Sequence, residues 1–134
     1  MTKETIQTVV NSYFTNMAAM NAEAWAENFA EDGVIYDPVG KPPSNVQSDY
    51  QKFFGLLSMI FAKLELTPNN IFIVDNGAAV KWTMQGVGKN GNQGVAEGIS
   101  IFEINENGKI KQVSSYWDDA AMMAQIKGDS TINN

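Results

Sequence analysis

The stretch Asn76-Gly77-Ala78-Ala79-Val80-Lys81-Trp82-Thr83-Met84-Gln85-Gly86-Val87-Gly88-Lys89-Asn90-Gly91 sets a run of β-forming residues between two Asn-Gly pairs. Asparagine and glycine both tolerate positive φ, so such pairs mark hairpin turns. A third pair, Asn107-Gly108, follows at similar spacing. The pattern predicts a four-stranded antiparallel meander, with strands at roughly residues 70–75, 78–88, 93–104 and 109–117. In the quoted strand Val80, Trp82 and Met84 alternate with Lys81, Thr83 and Gln85. In the next, Ala96, Gly98, Ser100 and Phe102 alternate with Val95, Glu97, Ile99 and Ile101, so both faces of the sheet carry apolar residues.

Upstream the period changes. Ile6, Val9, Val10, Tyr13, Phe14 and Met17 recur at helical spacing. Asn21 offers a cap for a short second helix with Ala22, Trp25, Asn28 and Phe29 on one face; Glu31-Asp32-Gly33 ends it before Val34-Ile35-Tyr36 begins a strand. Ser44-Asn45-Val46-Gln47 fits a capping box for a third helix carrying Val46, Tyr50, Phe53, Phe54, Leu57, Ile60 and Phe61. Asp118-Asp119 can cap a last helical turn through Met122 and Ile126, and a frayed tail is expected from about residue 128. Helices first and a meander afterwards is an α+β pattern, with the helices on one sheet face. No linker divides residues 1–134, which read as one domain. A sheet apolar on its second face needs another cover, and the expectation is a homodimer through an outer face of Val80, Trp82, Met84, Ile99 and Ile101.

Composition narrows the chemistry. The chain has no histidine and no cysteine, which excludes histidine-based triads, thiol nucleophiles and His or Cys metal sites, leaving carboxylates, lysine, tyrosine and backbone groups for acid-base work. A formal charge of -6 with no basic cluster argues against nucleic acid and anionic membrane surfaces. No membrane-length apolar run or signal-peptide pattern is present, and a cytoplasmic setting is expected. The glycines form no phosphate-binding loop and the carboxylates no ligand spacing, so neither cofactor nor metal is expected.

The run Trp25-Ala26-Glu27-Asn28-Phe29-Ala30-Glu31-Asp32-Gly33-Val34-Ile35-Tyr36-Asp37-Pro38-Val39-Gly40 resembles the signature of ketosteroid isomerases and SnoaL-like polyketide cyclases, a branch of the nuclear transport factor two-like superfamily. The resemblance implies a cone-shaped α+β barrel, a curved and mainly antiparallel sheet wrapped around three N-terminal helices. It also implies catalytic roles: Asp37 as a base moving a proton α to a carbonyl, and Tyr13 as donor to the enolate oxygen. The family's second donor, a strand aspartate, falls on Ser100, and its supporting tyrosines on Phe29 and Phe54. Ketosteroid isomerase is itself a standard example of such pKa tuning.

From the residues alone, Asp37 before Pro38 is either a turn cap or a pocket-facing base, Tyr13 a core tyrosine or a donor, and Ser100 a satisfied strand serine or a donor. If the Trp82 face packs in the dimer, then Lys81, Thr83 and Gln85 point into the cone, where Lys81 suits a ligand carboxylate. Met17, Phe53, Phe54, Val113 and Trp117 complete the expected binding wall. Three functions follow: a cofactor-independent isomerase or cyclase acting on a small molecule with a carbonyl or carboxylate, a non-catalytic binder of a hydrophobic or acidic metabolite, or a structural dimerisation module.

Overall fold

In the computed structural model, which describes residues 1–128, Thr2 starts the first helix by accepting the Thr5 amide on its hydroxyl. That helix, α1 (Lys3–Ala18), buries Ile6, Val10, Tyr13, Phe14 and Met17 along one stripe. Asn21 caps α2 (Ala22–Ala26), which buries Trp25 and Ala26. Asn45 caps α3 (Val46–Ile60) through the Ser48 amide and hydroxyl, after the two-residue strand β2 (Ser44–Asn45). Asp118 caps the closing helix α4 (Asp119–Lys127) through the Ala121 amide.

The strands are β1 (Phe29–Tyr36), β3 (Phe61–Val74), β4 (Gly77–Gly88), β5 (Gln93–Ile104) and β6 (Ile110–Tyr116). With β2 they form one curved six-stranded sheet in the order β2-β1-β6-β5-β4-β3. Every pairing is antiparallel except β1 with β6. The fold is α+β, as expected, but the sheet stays open, with β2 and β3 as its edges.

Two boundaries differ from the sequence reading. The third helix ends at Ile60, and Phe61 already belongs to β3, which runs through a region expected to be helix and loop. Pro68 fits there because β3 is an edge strand and the register shifts between Pro68 and Asn70. The second helix stops at Ala26, and Phe29–Gly33 is extended with a register shift before Val34. The turns also divide differently: Gly91 and Gly108 take positive φ as expected, whereas at the β3–β4 turn Asp75 (φ 55) takes it instead of Gly77.

The faces of β4 are the reverse of the expectation. Val80, Trp82 and Met84 are buried on the concave face, opposite Ser100, Gly98 and Ala96 of β5. Lys81, Thr83 and Gln85 therefore lie on the outer face, where Lys81 stands 3.8 Å from Glu97. The outer face instead exposes Phe72, Val74, Ile99, Ile101 and Tyr116. Its rows cross the sheet as Phe72, Ala79 and Ile101, and as Lys81, Ile99 and Tyr116. Val80, Trp82 and Met84 thus leave the expected dimer face, and Ile99 and Ile101 remain on it.

Strand β6 pairs with β5 only from Ile104 back to Ile99. Beyond that point α4 takes over. The Gln125 amide accepts from Val95 N at 2.9 Å and donates to Val95 O at 3.0 Å, while Asn90 and Asn92 both donate to Ile126 O. Gly94 makes the approach possible, since a Cβ there would meet Met122 Sδ at 2.5 Å. Gly128 caps α4 in the left-handed region, and the expected frayed tail lies outside the described residues.

Candidate active site

Asp37 follows the last residue of β1, where the chain leaves the sheet and turns back towards the end of β6. Two contacts hold that turn. The Val39 amide donates to Ser115 O at 2.8 Å, and Lys41 forms an ion pair with Asp119 at the start of α4. The carboxylate meets Trp117 just past β6, whose indole N–H donates to Asp37 Oδ1 at 2.6 Å. Trp117 in turn stands edge-on to Trp82, ring centres 5.7 Å apart. Gly98 leaves room for this pair: a Cβ there would lie 2.7 Å from both Trp82 Cζ2 and Trp117 Cβ.

These groups line a small cavity between α1 and the concave sheet face. Its wall is Tyr13, Phe14 and Met17 from α1, Asp37, Leu66 from β3, Trp82 and Met84 from β4, Ser100, Ser115 and Trp117. The space is about 30 Å³, room for roughly one water molecule. Of the wall residues, Asp37, Leu66 and Trp117 are only partly buried. A surface depression of about 500 Å³ at Met1, Asp75, Asn76 and Lys111 shares no residue with it.

The polar part of the wall is connected. Trp82 Nε1 donates to Ser100 Oγ at 2.9 Å, and Ser100 Oγ lies 2.7 Å from Ser115 Oγ. The two serines are cross-strand partners and almost wholly buried. Burial and the Asp37 charge hold the Tyr13 phenol well above its usual range, with the Ser115 hydroxyl pulling it down. Asp37 is pushed up to about 6, first because protein displaces water from around it. The Trp117 hydrogen bond opposes that shift, the Asp119 charge adds to it, and Lys41 opposes it. Asp37 keeps some exposed area as a residue, but the carboxylate is the end packed beside Tyr13 and Trp117, so desolvation governs it. A carboxylate titrating near 6 is a stronger base than an ordinary aspartate and is still largely ionised at neutral pH.

Of the residues singled out from the sequence, Asp37, Tyr13, Ser100, Met17 and Trp117 meet at this cavity. The others do not. Phe53 and Phe54 pack on Trp25, ring centres 5.6 and 5.1 Å away, because α3 covers the α2 side of the core. Val113 is fully buried but outside the lining. Lys81, Thr83 and Gln85 are excluded by the parity of β4, so among the described residues no lysine or arginine lines the cavity. Sequence reasoning missed Ser115 and the inward side of Trp82. The alternation Val113, Ser115, Trp117 carried the signal for Ser115. Among the described residues no group of three or more acidic side chains could hold a metal, and no helix is long and apolar enough to cross a membrane.

The sequence pattern of the SnoaL-like domain matches residues 10–113. No curated protein matches the chain significantly. The solved structures that share the fold include the following two. The epoxide hydrolase/cyclase-like enzyme SalBIII, with a role in pyran ring formation in the polyether salinomycin, superimposes with a TM-score of 0.77 at 18% identity, covering 88% of this chain and 94% of its own. A candidate polyketide cyclase from a Silicibacter species gives a TM-score of 0.77 at 19% identity, with 90% and 93% covered.

Proposed function

The chain belongs to the SnoaL-like domain family, and from that premise we propose an isomerase- or cyclase-type proton transfer on a small neutral carbonyl compound. Asp37 takes the proton from the carbon next to the carbonyl, and Tyr13 donates a hydrogen bond to the oxygen that becomes the enolate. The observation that carries this reading is the meeting of Asp37, titrating near 6, with the Tyr13 hydroxyl on the wall of one largely apolar cavity. Neutral ligands are favoured over carboxylates because the wall already bears an anion and no cation. A cavity of about 30 Å³ is too small for a substrate, so admitting one requires its wall to widen.

The same volume favours a second reading, a dimerisation module whose interior is filled by its own side chains. Deuterium exchange separates the two. The protein is incubated with small cyclic ketones in heavy water, and label at the α-carbon is followed by NMR. Exchange above the buffer rate that disappears in Asp37→Asn supports the enzyme; exchange that survives the substitution, or none in the wild type, overturns it.

We also infer that a second copy of the chain covers the outer sheet face. Support comes from Phe72, Val74, Ile99, Ile101 and Tyr116, exposed on adjacent rows of one surface.

A further inference from the structure

We propose that Ser115 gives the ligand's carbonyl oxygen a second hydrogen bond beside that of Tyr13, its hydroxyl being held and polarised by Trp82 through Ser100. Ser115 then acts in the carbonyl chemistry proposed above, on which this role rests, and Ser100 positions it.

Ser100 and Ser115 are the two polar side chains buried among the described residues, 1% and 2% exposed. Both lie on the wall of the Asp37 cavity, and the β5–β6 register sets them opposite each other. Packing alone does not call for hydroxyls here, since alanine fills nearly the same space and brings no polar group to satisfy. An indole nitrogen only donates, and Ser100 answers that need by accepting the Trp82 N–H at 2.9 Å. Nothing comparable accounts for Ser115. Its oxygen lies 2.7 Å from Ser100 Oγ, and among the described residues no carbonyl or carboxylate oxygen accepts from it.

The two hydroxyls carry two hydrogens, and the bond between them uses one. A hydroxyl that already accepts is the better donor, because each bond in such a chain polarises the next. Ser100, accepting from Trp82, therefore donates to Ser115, and the hydrogen left over is the one on Ser115. A buried hydroxyl hydrogen without an acceptor is costly, so a ligand oxygen that takes it recovers that cost on binding. The cavity of about 30 Å³ has room for one oxygen of water size. A carbonyl oxygen is such an atom, and its two lone pairs can accept from Ser115 and from Tyr13 together.

Cyclohexanone labelled with heavy carbon at the carbonyl is bound to the full chain, and its carbonyl stretch is read by difference infrared spectroscopy. Each hydrogen bond to the oxygen weakens the C=O bond and lowers the frequency. Ser115→Ala should raise the frequency, Ser115→Cys, a weak donor of similar size, should raise it by less, and ketone exchange in Ser115→Ala should fall about a hundredfold. The rise should persist in the Tyr13→Phe background. A rise that vanishes there means that Ser115 gives its hydrogen to the tyrosine, which overturns the proposal. So does an unchanged frequency in Ser115→Ala, or a larger rise in Ser100→Ala than in Ser115→Ala. Should Ser115→Ala fail to fold, as judged by near-ultraviolet circular dichroism, Ser115→Cys decides by the same sign. The expected rise in a protein that exchanges no ketone proton keeps Ser115 as a ligand donor and removes the enzyme. Exchange that is lost in Asp37→Asn, with the frequency unmoved in Ser115→Ala, keeps the enzyme and removes Ser115. Absence of any bound carbonyl band removes both.

Discussion

Trp117 donates its indole N–H to Asp37 Oδ1 at 2.6 Å, joining residues 80 positions apart. The bond occupies one carboxylate oxygen, so a proton taken from substrate goes to the other. It also stabilises the ionised form, against the desolvation that pushes Asp37 up to about 6. Ketone exchange should therefore rise with pH through about 6 and level off above it. In Trp117→Phe the midpoint should move upward by about one unit, since a donor to the carboxylate is lost. A flat profile from pH 4 to 8 would rule out Asp37 as the base.

The same burial should appear in stability. The Asp37 pKa is raised on folding from the usual 3.8 to about 6, so its stabilising contribution is complete below 3.8 and is lost as pH rises through 6. Asp37→Asn, neutral at every pH and still able to accept from Trp117, should raise the melting temperature at pH 8 and not at pH 3.5. The gain at pH 8 should be on the order of 1–2 kcal/mol, below the full two-unit value because the residue keeps some solvent contact. Thermal melts of both proteins at the two pH values measure it.

Tyr13→Phe should lower the ketone exchange rate by about two to three orders of magnitude while the fold persists, because one oxyanion donor is removed and the ring remains. Packing around the ring is dense, with Phe14 and Phe102 edge-on at 5.0 Å each, and the phenyl group keeps those contacts. Exchange kinetics and circular dichroism on the same sample separate the two effects.

Gly98→Ala should cost about 1–3 kcal/mol of folding free energy. The added methyl would meet Tyr116 O at 2.6 Å, a backbone atom that cannot step aside as a side chain would. Urea unfolding measures the loss, and near-ultraviolet circular dichroism should show the Trp82–Trp117 pair disturbed.

Ile101→Lys should turn a dimer into a monomer without unfolding it, because Ile101 sits on the outer face at 39% exposure. Sedimentation velocity reads the change in mass. A wild type that sediments as a monomer up to high concentration would remove the second copy from the proposal.

Much of the meander was legible because Asn-Gly pairs and period-two alternation point the same way between Gly77 and Tyr116. The face of β4 was not, and one loop residue decides it. A two-residue loop at Asn90-Gly91 would set Lys81 opposite Ser100. The chain instead pairs Val87 with Gln93 around a longer loop, so Ser100 meets Val80 and every side chain of β4 is reversed. The start of β3 was hidden for another reason: Phe61 continues the apolar spacing of α3, and Pro68 reads as a break when it is the edge strand's irregularity. At the site, Asp37 and Tyr13 came from the family resemblance, whereas Ser115, inside the strand expected at 109–117, is set opposite Ser100 only by the register of β5 with β6.

Where β6 stops, the flank of β5 is not left open to solvent. A side-chain amide imitates the missing strand there, with Gln125 giving and taking the two hydrogen bonds that a neighbouring backbone would supply to Val95. An unpaired flank is a template on which another chain can add a strand. The last helix therefore does more than cover the core: it denies that template to other molecules, and a truncation before Asp119 should produce a protein that aggregates through β5.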